Sequence, residues 1–494
     1  MSPSDASKIL AFTYDDYGQA NPMLSIVHEL AVIRPDIELH VASFKPLNKR
    51  LPHLQALIDT ERALRDPNSS LTPRKDIVFH ACKGISNMQG FGLHSGGMKA
   101  LPHPGGFRGC FRATKNLDYL VAPLDGPDYL ESFAQCRDLI EEVQPKVVVV
   151  DILFRPALDA CRALSQRFVV MNTISYKECA AMDQPVLDLL TRIPASCTGY
   201  PYPVPWHLIP VNIFINLWIG YNVSTNPRFT SLDAYRKAHA NLDFGFYEFK
   251  IPNAPYLCPS FPETDFPFFV PENVTSCGPF IFPYVPVEEK DPELARWLGR
   301  GPTVLVNLGS QHVMDGESVW GVVKGLRIVF ANTRVAPDLQ VLWKFKRPAS
   351  DDWELIEEVV GKEIRDGKVK VIEWLEADPA SIVAHPNVVC SVHHGGANSY
   401  NEAIWAGVPH VVLPVWYDTY DFASRVEYLG VGVYGNKACS PNVEAREFGH
   451  ALARVVGSEA ERYRAKARGL RDVCWKRGSG REIGAKRVLE LAGL

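Results

Sequence analysis

Residues 385–433, HPNVVCSVHHGGANSYNEAIWAGVPHVVLPVWYDTYDFASRVEYLGVGV, decide the fold. Asn387–Val392 is a short, apolar, β-branched run of the kind that a strand buried on both faces requires. His393-His394-Gly395-Gly396 breaks it, and Ala397–Ala406 then reads as a helix. Strand, glycine turn and helix start leave free backbone N–H groups at the positive end of a helix dipole, an anion site that a diphosphate fits. Asn398 and Glu402, four apart, share one helix face, and Ser399 lies in the first turn. That face can hold both a phosphate and a diol. A second apolar strand, His410–Val415, ends at Trp416-Tyr417-Asp418, so Asp418 stands at a strand's carboxyl end, where open α/β sheets bind ligands. Each residue taken alone also has a plainer reading: a tight turn at Gly395-Gly396, a solvated Glu402, a helix-capping Asp418.

As an ordered set, His394, Gly396, Asn398, Ser399 and Glu402, followed by Gly407-Val408-Pro409 and Asp418, resemble the donor-site signature of the family 1 UDP-glycosyltransferases. The wording Asp-Thr-Tyr-Asp-Phe-Ala at 418–423 is similar to fungal members. The resemblance implies a GT-B fold, in which two facing Rossmann-like doubly wound α/β domains hold the site in the cleft between them. It further implies UDP held by the second domain, Ser310 at the diphosphate, Trp374-Leu375 at the uracil and Asp418 at the sugar. Thr419 stands where the family commonly has Gln. The spacing from Trp374 to His385 is two residues longer than the usual pattern, and Glu376-Ala377 replaces Pro-Gln.

The 494 residues exceed one ordinary core, and a hydrophobic content of 46% suffices for two domains. With 52 Lys plus Arg against 56 Asp plus Glu, no broad basic field points to nucleic acid, so an anionic ligand must be held locally. Eleven cysteines without a Cys-x-x-Cys pair argue against a disulfide framework and a zinc module, and predict reduced, mostly buried thiols. The apolar run Ile9–Tyr14 is too short for a signal peptide, so a cytoplasmic location is expected. Trp206–Tyr221 is the most membrane-like run, yet it falls short of a spanning helix. It predicts the lining of an apolar pocket or a peripheral membrane contact.

Along the chain, strand Ile9–Tyr14, a turn at Gly18–Pro22 and helix Met23–Ile33 open a doubly wound domain. Glu38–Phe44 and Lys146–Val150 read as further strands, the latter ending in Asp151. The glycines of Asn87–Gly109 predict a long loop without regular structure, either a lid or a disordered insertion. The sequence divides into an acceptor domain (1–280), a Pro-rich linker (281–300), a donor domain (301–475) that restarts with strand Thr303–Leu308, and a C-terminal helix (476–494). In the family such a helix crosses back over the first domain.

The resemblance implies inverting transfer of a hexose, with glucose the expected sugar. No Asp-x-Asp signature appears, so neither a metal nor any cofactor beyond the UDP-sugar co-substrate is expected. The family's catalytic His is absent, since the turn reads Gly18-Gln19-Ala20-Asn21-Pro22, and an amide cannot act as a base. Asp16 and Asp151 are the candidate replacements beside Gln19, with His94 as a further group for the proton. Trp206, Phe214 and Trp218, with His94 of the 87–109 loop, are expected to bind a flat or apolar hydroxylated acceptor such as a flavonoid, another phenol or a sterol. Two other classes compete. Gln19 would suit a sugar-nucleotide-binding protein that has lost turnover, whereas a nicotinamide oxidoreductase would need a Gly-x-Gly-x-x-Gly turn that follows neither Ile9–Tyr14 nor Thr303–Leu308.

Overall fold

The computed structural model describes residues 7–66, 73–95, 97–245, 250–346 and 350–494, apart from the side chains of 94–95, 116–117 and 350–351. Two parallel sheets organise the chain. The first takes β1 (Lys8–Phe12), β2 (Glu38–Ser43), β3 (Val78–Ala81), β4 (Val147–Asp151), β5 (Phe168–Met171), β6 (Tyr256–Cys258) and β7 (Val274–Ser276), in the order β3-β2-β1-β4-β5-β6-β7. The second takes β8 (Thr303–Asn307), β9 (Gln340–Lys344), β10 (Val369–Ile372), β11 (Val388–His393), β12 (His410–Val412) and β13 (Gly432–Tyr434), in the order β10-β9-β8-β11-β12-β13. The valine run of β4 is buried throughout, as a central strand covered by helices on both faces must be.

Both sheets reverse their strand order at one point, between β1 and β4 and between β8 and β11. Crevices outside the carboxyl ends of such strand pairs are where this architecture binds ligands. Register places Phe12 beside Val150, and Val392 beside Val306. The segments leaving these strands, Thr13–Gln19 and Asp151–Leu153 on one side, Leu308–Gln311 and His394–Asn398 on the other, therefore begin at the two switch points.

The last helix, Gly480–Ala492, lies against the first sheet, where Ala485, Val488 and Leu489 join the core around Ile9, Leu24 and Val147. Arg481 fixes it there with bonds to Glu61 (2.7 Å) and Glu29 (3.3 Å). Across the cleft, Lys177 pairs with Asp421 (2.7 Å) and Arg425 with Asp265 (2.8 Å), both pairs almost fully buried. The Asn398 amide donates to the Tyr17 carbonyl at 3.1 Å, tying the donor helix to the start of the first domain's first helix.

Three expectations change. The stretch Asn87–Gly109 is not a structureless loop: Asn87–Ser95 is helical, Gly97–Ala100 forms a 3-10 turn, and Gly106–Val121 is a helix of four turns. Gly90 and Gly109 serve close packing rather than chain reversal, since a Cβ on Gly90 would lie 2.9 Å from Pro123, and one on Gly109 would lie 1.5 Å from the Pro104 carbonyl, whereas Gly97 and Gly106 do take positive φ. The segment Gly18–Pro22 is no turn either, because the helix runs Tyr17–Ile33 with Asp16 as its N-cap. Finally, Asp418 precedes helix Thr419–Leu429 without making a side-chain cap bond. All eleven cysteines are free, and nine are buried.

Candidate active site

The cleft holds one cavity of about 1680 Å³, lined from both domains. Small-molecule pockets typically run from roughly 300 to 1,000 Å³. The space therefore suits two ligands side by side.

One wall comes from the donor stretch: His394, Gly396, Asn398, Ser399 and Glu402 all face the cavity, with Ser310, Trp374, Leu375 and Asp418. Gly395 has φ +89, and a Cβ there would sit 2.6 Å from the Thr419 carbonyl, so only glycine fits this turn. The His394 ring lies between Gly309 and Gly396, and a Cβ on either would meet it at 2.7 Å. Burial, then the neighbouring His312, pulls its pKa down to about 3, so the ring is neutral. Its Nδ1 is buried without a hydrogen-bond partner among the described residues. Glu402 accepts no hydrogen bond from the described residues either, and burial pushes it up to about 8. Two hydroxyls of a diol would supply the bonds its ionised form lacks.

Lys344 ends β9 inside this wall and was not singled out from the sequence. Its Nζ donates to the Gly309 carbonyl (2.8 Å) and sits 4.7 Å from the centre of the Trp374 ring, yet it pairs with no carboxylate among the described residues. A buried ammonium without a counter-charge is costly unless an anion arrives. Burial holds its pKa below the usual lysine value.

The facing wall comes from the first domain. Asp16 lines the cavity, and burial, then the nearby Asp15, pushes it up to about 6, although the backbone N–H of Gln19 donates to it at 3.3 Å. Gln19 lines the cavity too. In the orientation that gives each neighbour a complement, its side-chain nitrogen donates to Thr173 Oγ1 (2.7 Å) and Asp151 Oδ2 (3.0 Å). Asp151 is fully buried and does not reach the cavity. Burial raises it to about 8, even though it accepts the Leu153 N–H at 2.8 Å. Gln19, bonded to Asp151, lines the cavity in its place.

Four other expected contact residues do not line the cavity. Thr419 does not line the cavity: its hydroxyl accepts the N–H groups of Val415 and Trp416, each at 3.1 Å, and holds the turn that positions Asp418. Trp206, Phe214 and Trp218 lie outside the cavity as well. On helix Ile209–Thr225 the positions that face the cavity are Asn216, Leu217, Ile219, Gly220, Val223 and Ser224, none of them aromatic. The expectation for His94 falls on a side chain outside the described residues.

Sequence reasoning also missed Glu178 and Lys177. Both line the cavity from the short helix Tyr176–Ala180 that follows β5. Glu178 accepts the Ser175 hydroxyl at 2.7 Å, and burial, then Asp421, pushes it up to about 7. Asp418 also rises to about 7, through burial and then Glu178. No sequence signal marked them, because the partner of Lys177 is 244 residues away. Much of the remaining lining is apolar and includes Met88, Leu101, Ile152, Leu190 and Val223. Among the described residues, no group of three His, Cys, Asp or Glu side chains is placed to hold a metal ion.

Two facing parallel-sheet domains thus enclose the cleft, with a glycine-flanked helix start on one wall and a largely apolar lining on the other. Residues 367–491 match the family described as erythromycin biosynthesis protein CIII-like, C-terminal domain. Over 473 residues the chain is 37% identical to glycosyltransferase sdnJ of Sordaria araneosa, covering 91% of this chain and 90% of that protein. It is 25% identical over 250 residues to the UDP-glycosyltransferase stmC of Aspergillus ustus, covering 48% of this chain and 45% of that protein. The fold matches a UDP-glucosyltransferase from Polygonum tinctorium that glucosylates indoxyl, with a TM-score of 0.65 at 16% identity over 99% of this chain and 100% of the other. The chain belongs to the family 1 UDP-glycosyltransferases.

Proposed function

We propose that this enzyme transfers glucose from UDP-glucose to a hydroxyl of a small apolar acceptor such as a flavonoid, another phenol or a sterol. Transfer proceeds with inversion and needs neither a metal ion nor a cofactor beyond the co-substrate. The observation that carries the reading is the pairing of walls: unpartnered Glu402, the Gly396 helix start and the bare Lys344 ammonium on one side, Asp16 on the other.

Glu402 accepts the ribose hydroxyls, and Trp374 and Leu375 hold the uracil. Ser310, Ser399, neutral His394 and the helix start receive the diphosphate, beside Lys344. Asp418 accepts from the sugar. The acceptor hydroxyl attacks the anomeric carbon from the face opposite UDP. Its proton passes to Asp16 as the new C–O bond forms, and the old C–O bond breaks with its electron pair going to the diphosphate. Gln19 and Asp151 do not take the proton; they fix the surroundings of Asp16.

The test is mass spectrometry of products from a panel of phenols and sterols, each with UDP-glucose, UDP-galactose, UDP-glucuronic acid or UDP-N-acetylglucosamine, in EDTA. Hexosylated products formed best from UDP-glucose support the reading. Preference for another donor, loss of activity in EDTA, or glycosylation of hydrophilic sugars alone would overturn it.

A further inference from the structure

Helix Ile209–Thr225 carries no charged residue, yet only Asn212 and Ile215 of it are buried. An uncharged helix that is apolar on most faces is ordinarily covered by protein or by lipid. This one instead presents a stripe to the outside: Phe214 is 48% exposed, Leu217 63% and Tyr221 62%, with Trp206 just before the helix at 83%. The spacing from 214 to 217 to 221 keeps one face of the helix outward. Phe107 and Phe111 of the neighbouring helix Gly106–Val121 extend the face, with ring centroids 5.8 Å from Phe214 and 5.1 Å from Trp218 respectively.

That neighbouring helix supplies charge of one sign. Arg108, Arg112 and Lys115 are exposed beside the phenylalanines, and none makes an ion pair with a described residue. The helix's one acid, Asp118, is engaged by its own neighbours, accepting from the Tyr119 N–H (2.8 Å) and the Asn226 amide (3.4 Å). The chain as a whole is acidic, with net charge −4, so this is a local basic rim around an aromatic face. Aromatic side chains rimmed by Lys and Arg are what an in-plane contact with anionic lipid requires. Among the described residues no helix is long and apolar enough to cross a membrane, so the contact lies along the surface.

We propose that the face formed by helices Ile209–Thr225 and Gly106–Val121 seats the protein on an anionic lipid bilayer. A second copy suits it less, because twofold pairing would bring together the cations of both chains with no free carboxylate on either helix to answer them. The face also runs into the cavity mouth: Leu217 and Met182 (76% exposed) both line the cavity. An apolar molecule dissolved in the bilayer thereby gains a path to the site that avoids water. The lipid contact itself does not depend on which sugar or acceptor the enzyme uses.

The test is flotation of the purified full chain with phosphatidylcholine vesicles, with and without phosphatidylserine, at low and physiological salt. Binding is expected to the phosphatidylserine vesicles, and to weaken with salt as the screening length shortens to about 8 Å. Phe214→Asp/Tyr221→Asp and Arg108→Glu/Arg112→Glu should each reduce the bound fraction by about tenfold or more, while the thermal melting of the arginine pair, whose side chains are exposed and make no ion pair with a described residue, stays unchanged. The proposal is overturned if the wild-type chain fails to float with phosphatidylserine vesicles or floats equally with neutral ones. It also fails if folded variants float like wild type, or if light scattering shows a dimer that Phe214→Asp/Tyr221→Asp splits.

Discussion

Gln19 stands between Asp151 and the cavity: its side-chain nitrogen lies 3.0 Å from Asp151 Oδ2, and of the two only Gln19 lines the open space. A histidine at position 19 would meet the same carboxylate and gain a partner for its imidazolium. Gln19→His is therefore expected to retain turnover and to supply a second base, so that adding Asp16→Asn to it costs less than about tenfold. A loss as large as in Asp16→Asn alone would show that the imidazole does not reach the acceptor.

The pH dependence follows from Asp16, which burial raises to about 6. A base must be ionised to accept a proton, so kcat/KM for the acceptor should fall as pH drops through about 6. A profile flat from pH 5 to 8 would remove Asp16 from the proton transfer.

Above about pH 8, where Glu402 is ionised, Glu402→Ala should weaken UDP binding by about 1.5 to 3 kcal/mol, the range for hydrogen bonds to a charged group. Calorimetry in EDTA reads this directly. Unchanged affinity would mean that the ribose lies elsewhere.

Lys344→Met should weaken UDP binding by a similar amount, about 1.5 to 3 kcal/mol, while leaving the affinity for uridine unchanged. The ammonium answers the diphosphate, and the nucleoside lacks one. Equal losses for both ligands would place Lys344 against the base or ribose instead.

Thr419→Val leaves the N–H groups of Val415 and Trp416 without their acceptor, a cost of about 1 to 3 kcal/mol for an unsatisfied buried group. The melting temperature should fall accordingly. If instead stability held and donor preference changed, Thr419 would be a sugar contact after all.

The donor half was legible because its signals are local. A β-branched run, two glycines and a four-residue spacing from Asn398 to Glu402 fix strand, turn and helix face without help from the rest of the chain. The strands of the acceptor half were legible too, with Glu38–Ser43 and Val147–Asp151 falling where the pattern put them, but its pocket was not, for two physical reasons. Glycine marks close packing as well as turns, and at Gly90 and Gly109 the packing partners, Pro123 and the Pro104 carbonyl, lie beyond the reach of a local pattern. Aromatic content does not say which face of a helix turns inward: on Ile209–Thr225 it is Asn216, Leu217, Ile219, Gly220, Val223 and Ser224 that meet the cavity. Glu178 and Lys344 were invisible for a related reason, since an isolated charge acquires meaning only from the groups that fold against it.

In the proposed reaction a carboxylate at the start of the first helix takes the acceptor's proton. Asp16→Asn and Asp151→Asn, made separately, with single-turnover rate and UDP-sugar affinity both measured, test it most directly. Asp16→Asn should lose turnover by about 100-fold or more with donor affinity intact, since general-base contributions are of that order, and Asp151→Asn should lose markedly less. Full turnover in Asp16→Asn, or the larger loss in Asp151→Asn, would contradict the account.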